Sequence, residues 1–499
     1  MRKAKLFVIN TIILTATSFI IRIIGMSFNV YVSNKVGAEC IGLFQLIMSI
    51  YIFAITLATS GISIAATRLV TEELSRKNNK GAKIIISKCI LYSLLLGITS
   101  SVLILLFSDF IVEVCLHNKI SKMPLIAISI GLPFIAVSSA INGYFAAVRK
   151  VIKTASSQIL EQLVKIIATS FLLSLFLPKG IEYACLSLII GDVISEVISF
   201  TYIFILYIYD KRKINSSNVT SRNYRKDILN ISIPIALTSY IRSFLSTLKQ
   251  LIIPIRLEKS GMSCKSALES YGIISGMALP LLLFPNVIIV SISNLLIPEY
   301  STFYATNETE KISKISTKIL KLTFIFAICM FGIFLTFSDL LCNFIYNDAR
   351  VIHFVKILSP LLILMYIDNI VDGMLKGLNK QVAVMKCNIL DLFVSTTLLY
   401  ILLPIIQING YIIVLYISEI LNTVISIIQL KKVSKFRIKY FSWLLIPLSG
   451  ILLCRYIIKF LNFSTSNIFT LIMQILLFIF IYISFLVFSL CLKKEDIKV

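Results

Sequence analysis

A chain of 499 residues that is 58% hydrophobic, with a mean hydropathy of +0.93, is far too apolar for a water-soluble domain. Its net charge of +24 comes from 48 Lys and Arg against 24 Asp and Glu, carried mainly by short loops, so no basic patch sits on a foldable module and nucleic acid is not an expected partner. The sequence contains no Walker A pattern, which argues against direct drive by ATP.

Apolar runs of roughly 20 residues or more, the length that crosses a bilayer at about 1.5 Å per residue, recur from Leu6 to Leu492. They predict an all-α integral membrane protein of about fourteen transmembrane helices. In chain order the spans are 6–32, 42–67, 84–107, 123–148, 155–177, 182–208, 227–255, 271–298, 318–341, 352–376, 382–406, 410–430, 440–460 and 468–491. Arg2, Lys3 and Lys5 head the first span like a signal peptide, but that span is too long, contains Arg22 and has no small-residue cleavage site, so it reads as a retained helix. Loops on one side carry roughly 31 Lys and Arg against about 10 on the other, a bias that places both termini in the cytoplasm of a multi-pass cell-membrane protein. Such loops also touch anionic membrane lipids. The largest loop, about 209–226, reads as a basic cytoplasmic linker.

The chain repeats itself. Sliding the sequence along itself until Asn142 meets Asp372 sets Asn142–Lys165 on Asp372–Ser395 without a gap, matching Gly143 to Gly373, Lys150 to Lys380 and Leu160 to Leu390. A weaker echo, at a slightly shorter offset, pairs Leu69-Val70-Thr71-Glu72 with Leu296-Ile297-Pro298-Glu299, and Arg22 pairs with Arg242. The reading is two homologous six-helix lobes, 1–208 and 227–430, of parallel orientation because six is even, with two extra helices over 440–491. Two such lobes leave a central cavity that rocking exposes to alternate sides, and one chain holding both is expected to work as a monomer.

Charges inside helices need a reason, because each costs at least ~2.5–3.5 kcal/mol at the bilayer centre. Lys88, Lys356 and Lys386 lie close enough to helix ends to reach the interface. Lys165 follows Glu161 by one turn and is expected to pair with it along the helix. Arg22, Arg242 and Lys249 are deep, with no acid three or four residues away, and Arg242 and Lys249 are seven apart and face alike. A guanidinium recognises phosphate oxygens bidentately and a lysine adds a point charge, so these three predict a cationic, substrate-binding cavity for phosphate or pyrophosphate, unless they neutralise buried acids. The acids are Asp192 and Glu196 on the sixth span, Asp368 and Asp372 on the tenth, Asp391 and Glu419; Asp192, Glu196, Asp368 and Asp391 are the candidates for ion coupling or charge balance. His117 and His353 stand apart from any metal-ligand partner, the ten cysteines include no CxxC pair, and nothing forms a catalytic constellation. The expectation is a non-enzyme with no cofactor, no metal and no disulfide framework.

Ile21-Arg22-Ile23-Ile24-Gly25, Asn142-Gly143-Tyr144-Phe145, the run Ile253-Pro254-Ile255-Arg256-Leu257-Glu258-Lys259-Ser260-Gly261, Leu279-Pro280-Leu281-Leu282-Leu283-Phe284-Pro285 and Leu296-Ile297-Pro298-Glu299 occur in that order on a fourteen-helix chain. In these the sequence resembles the multidrug/oligosaccharidyl-lipid/polysaccharide exporter superfamily, and within it the stage V sporulation protein B group of lipid-linked oligosaccharide transporters. The resemblance implies an alternating-access flippase for undecaprenyl-pyrophosphate-linked saccharides, lipid II-like peptidoglycan precursors included, in cell-wall or spore-cortex synthesis. Lipid-linked oligosaccharide and membrane lipids are then the expected partners, with cell-wall synthesis enzymes as further candidates. It further implies that helices one, two, seven and eight line a cationic cavity and that the last two helices hold the polyprenyl tail. Arg22 matches the first-helix Arg-x-x-Gly pattern of related lipid II flippases, but where those carry a further Arg-Asp pair this chain has Phe28 and Asn29. The competing readings are a cation-coupled multidrug exporter of the same superfamily, which would favour an acid-dominated cavity, and a membrane-embedded glycosyl- or acyltransferase.

Overall fold

The computed structural model describes residues 2–115, 121–212, 224–346, 348–434, 436, 441–461 and 467–492. Most of the expected linker over 209–226, and His117, lie outside them. The elements are α1 (Arg2–Thr59), α2 (Ile62–Ser75), α3 (Asn79–Leu106), a single turn α4 (Ser108–Phe110), α5 (Met123–Ala147), α6 (Val151–Phe176), α7 (Ile181–Arg212), α8 (Tyr224–Lys259) and α9 (Cys264–Gly272), then α10 (Leu279–Leu283) and α11 (Asn286–Ala305). They continue as α12 (Thr309–Ile345), α13 (Arg350–Leu358), α14 (Leu361–Gly377), α15 (Gln381–Ser434), α16 (Ile446–Phe460) and α17 (Ile468–Phe488). Among the described residues there is no strand, as the apolar periodicity predicts.

Twelve helices are long and apolar enough to cross a membrane among the described residues, thirteen with α13 and α14, which bend by 54° into one span. The sequence gives about fourteen because two of the helices are hairpins in disguise. At 58 residues α1 would run for about 87 Å if straight, and it breaks at Gly37, whose φ of 78° only glycine adopts without strain. The 54 residues of α15 break at Ile406–Gln407, and its arms lie side by side: Ser418 Oγ donates to Asp391 Oδ1 at 2.5 Å and Cys387 Sγ to Asn422 Oδ1 at 3.2 Å. Conversely, the expected span 271–298 is divided. A π-helical turn at Ile273–Ala278 precedes α10, and the chain breaks again before α11 at Phe284–Pro285. Tyr346 and Tyr366 donate to the Met277 and Leu282 carbonyls at 3.1 and 3.2 Å, satisfying backbone that the irregular helix leaves open.

Local geometry repeats in the register that sets Asn142 on Asp372. Four helices end in the same cap, with the penultimate residue left-handed and the next N–H returning to the carbonyl five residues back. Lys77 (φ 59°) and Asn307 (φ 56°) form one matched pair, Arg149 (φ 58°) and Asn379 (φ 59°) the other. The closing bonds are Asn78 N to Glu73 O and Glu308 N to Phe303 O, then Lys150 N to Phe145 O and Lys380 N to Leu375 O, each 2.9 Å. Gly143 and Gly373 lie against Ser63 and Ser293, where an added Cβ would come 2.5 and 2.8 Å from the serine carbonyl oxygens. Because α2 ends at Ser75 and α11 at Ala305, the same register holds there too, and the weaker echo that matches Glu72 to Glu299 is out of register by about one turn.

The chain forms two compact units, Met1–Ile255 with Ser263–Gly272, and Arg256–Met262 with Ile273–Val499. It passes between them three times, just after Pro254 of α8, between Met262 and Ser263 in the loop before α9, and at the start of the π-helical turn. The first unit's core gathers Ile85, Ile141, Tyr144, Phe145, Tyr207 and Ile228 from α3, α5, α7 and α8. In the second, α16 and α17 pack on α12 through Ile333, Phe337, Ile451 and Phe478. There Tyr482 donates to the Ile325 carbonyl at 3.2 Å.

Candidate functional site

In the first unit α8 runs antiparallel to the second arm of α1. Tyr240 OH donates to Leu57 O (3.1 Å), Ser243 Oγ to Thr56 Oγ1 (3.2 Å) and Thr247 Oγ1 to Ser49 O (3.0 Å). Arg22 lies on the first arm of α1, before the Gly37 break, while Arg242 and Lys249 bracket the stretch of α8 from Ser243 to Thr247 that bonds to the second arm. Arg22 and Arg242 are exposed and Lys249 is half-buried. Among the described residues neither guanidinium meets a carboxylate.

The acids expected to balance them are engaged elsewhere. Lys165 Nζ lies 2.7 Å from Asp192 Oδ1, so this lysine reaches across from α6 to α7, and its expected partner Glu161 is not its closest one. A charge-to-charge contact with a buried carboxylate across two helices outweighs the weak exposed-helix pairing that spacing alone predicts. Tyr51 OH donates to Glu196 Oε2. Glu161 acts electrostatically on both Asp192 and Glu196. Three carboxylates and one lysine therefore share the space between the second arm of α1, α6 and α7, leaving excess negative charge that a proton or a bound cation would balance. Lys165 and Asp192 also line a cavity of about 150 Å³ whose other walls include Gly25, Phe28, Asn29 and Gln162. Phe28 and Asn29 of α1 thus share a cavity with this ion pair.

Breaking the pair exposes its value. Lys165→Met should lower stability by about 3 kcal/mol, because a buried carboxylate loses its counter-charge. Adding Asp192→Asn should recover most of that loss in thermal unfolding of the purified protein; a double variant no better than Lys165→Met alone would remove the pairing as the cause.

In the second unit Asp368 and Asp372 of α14 and Asp391 of α15 act on one another electrostatically. Asp391 accepts from Ser418, Asp372 pairs with Lys376 at 3.6 Å, and Asp368 Oδ1 is buried without a hydrogen bond. Glu419, expected to stand alone, is half-buried next to Ser418. Sequence reasoning did not single out Arg256 as a charge inside the membrane. It is buried and its guanidinium stacks on the Tyr400 ring at 3.1 Å from the centroid, a contact between distant parts of the chain that no local spacing announces. Tyr51 was missed for the same reason.

Residues 7–304 match the family model described as polysaccharide biosynthesis protein. Stage V sporulation protein B of Bacillus subtilis (strain 168) is 26% identical over 503 aligned residues, covering 99% of this chain and 97% of that protein. Among solved structures, lipid II flippase MurJ in an inward closed conformation superposes with a TM-score of 0.73 at 17% identity, covering 96% of this chain and 98% of that one. An inward-facing multidrug resistance MATE family transporter of the MOP superfamily gives 0.67 at 14% identity, with 84% and 99% covered. These two likenesses speak to the fold. With the match running over α1–α10 and most of α11, this chain belongs to the polysaccharide biosynthesis protein family.

Proposed function

We propose that the protein is a flippase that moves an undecaprenyl-pyrophosphate-linked saccharide, a lipid II-like peptidoglycan precursor, across the cytoplasmic membrane by alternating access, in cell-wall or spore-cortex synthesis. One observation supports the reading: Arg22 and Arg242, charges set within long apolar helices, meet no carboxylate among the described residues. Two such guanidiniums on apolar, membrane-length helices call for an anion with several oxygens, and a pyrophosphate supplies it. Lys249 adds the third positive charge. The saccharide would pass through the space these residues line while the tail stays in lipid along α16 and α17. The lobes 1–208 and 227–430 would rock about the repeat axis, with both termini cytoplasmic and one chain sufficient.

The carboxylate groups support a coupling role. Asp192 and Glu196 in one half, and Asp368 and Asp391 in the other, would take up protons or cations and so bias the direction of the cycle. Catalysis has no place in this reading, because transport by rocking lobes breaks no bond. The same carboxylates favour the second reading, a cation-coupled multidrug exporter. Reconstitution into liposomes containing fluorescent lipid II, with a cationic dye as second substrate, separates the two. Lipid II appearing in the opposite leaflet is the expected result, whereas a protein that moves the dye and leaves lipid II in place is an exporter.

A further inference from the structure

Cys40 and Cys185 are far apart in sequence, yet their sulfurs lie 3.0 Å from each other. Cys40 sits just after the Gly37 turn of α1, and Cys185 in the second turn of α7. The Cys185 thiol also donates to the Cys40 carbonyl at 3.4 Å, and the Cys40 thiol approaches the Ile181 carbonyl at 3.9 Å. Both side chains are fully buried. A disulfide needs its sulfurs at about 2.05 Å, and side-chain rotation supplies the remaining ~1 Å between groups already aimed at each other. The pair belongs to one half only: the repeat register brings Ser270 and Leu415 to these positions.

We propose that Cys40 and Cys185 form a disulfide that staples the start of the second arm of α1 to the start of α7. The oxidant is a low-molecular-weight or protein disulfide. One thiolate attacks it, forming a mixed disulfide and releasing one thiol; the second cysteine, as thiolate, displaces the other thiol. The net change is loss of two protons and two electrons from the pair and reduction of the oxidant to two thiols. Burial places this step during folding, before α7 closes over Cys40. Once formed, the bond is shielded from reductants until the protein unfolds. On the orientation proposed above, with both termini cytoplasmic, these helix ends lie on the outer, oxidising side, which is where disulfides persist. The staple ends close to Gly42, where α1 touches α9 backbone to backbone, and it fixes that helix start.

Thiol counting tests this. Protein made in aerobically grown bacteria is acid-quenched without reductant, unfolded in SDS and labelled with a maleimide polymer that shifts its mobility once per thiol. Wild type should show two fewer reactive thiols than the ten in the sequence, while Cys40→Ser and Cys185→Ser should each show every remaining thiol reactive. A wild type with all ten thiols reactive overturns the disulfide. So does a Cys40→Ser variant that shows two fewer reactive thiols than its remaining nine.

Discussion

Arg22→Ala combined with Arg242→Ala should abolish lipid II transport and weaken binding of the lipid-linked pyrophosphate by about a hundredfold or more. A hydrogen bond to a charged group contributes about 1.5–3 kcal/mol, and each ~1.4 kcal/mol is tenfold in affinity. Each single change should therefore weaken binding by roughly ten- to a hundredfold. The fold should survive, because among the described residues neither side chain holds a carboxylate whose loss would leave a buried charge unpaired. Arg22→Lys and Arg242→Lys should fall between wild type and alanine, since an ammonium keeps the charge but loses the planar two-point contact. Titration of the purified variants with lipid II checks the order. Alanine variants that bind as wild type does would mean that these cations do not touch the substrate.

The second large effect is predicted at Gly42 and Gly272. A Cβ on Gly42 would come 2.2 Å from the Leu268 carbonyl oxygen, and one on Gly272 would come 2.1 Å from that of Ala38. The two contacts are mirror copies: the register that sets Asn142 on Asp372 also sets Ala38 on Leu268 and Gly42 on Gly272. Here α1 and α9 cross with their backbones touching, as small residues allow in membranes, where packing drives helix association. Gly272→Ala should already lower the melting temperature by several degrees, and Gly272→Val should prevent accumulation of folded protein. Gly42→Ala with Gly272→Ala should cost clearly less than the sum of the single changes, because the first already pushes the helices apart and makes room for the second. Strict additivity in thermal unfolding, or two neutral single variants, would show that the crossing is looser than this.

Hydropathy made the helices legible because a membrane punishes polar residues along any span, so the runs from Leu6 to Leu492 mark α1 to α17 almost in order. The repeat was legible where Asn142–Lys165 and Asp372–Ser395 share residues, and less so at Glu72, because apolar helix ends of similar composition align at several registers. Arg22, Arg242 and Lys249 stood out as charges with no local acid. What could not be read was who meets whom across helices. Spacing gave Lys165 to Glu161, whereas the tertiary contact gives it to Asp192. Likewise Tyr51 with Glu196, Arg256 with Tyr400 and Gly42 with α9 join residues that share no local pattern.

The central claim is that the cations of α1 and α8 recognise a pyrophosphate. Its most direct test is the initial rate of leaflet exchange, in the same proteoliposomes, for one saccharide carried either on undecaprenyl pyrophosphate or on undecaprenyl monophosphate. The pyrophosphate-linked lipid should cross at least tenfold faster, because losing one phosphate removes a charge-assisted contact of about 1.5–3 kcal/mol. Equal rates for the two lipids would contradict the claim.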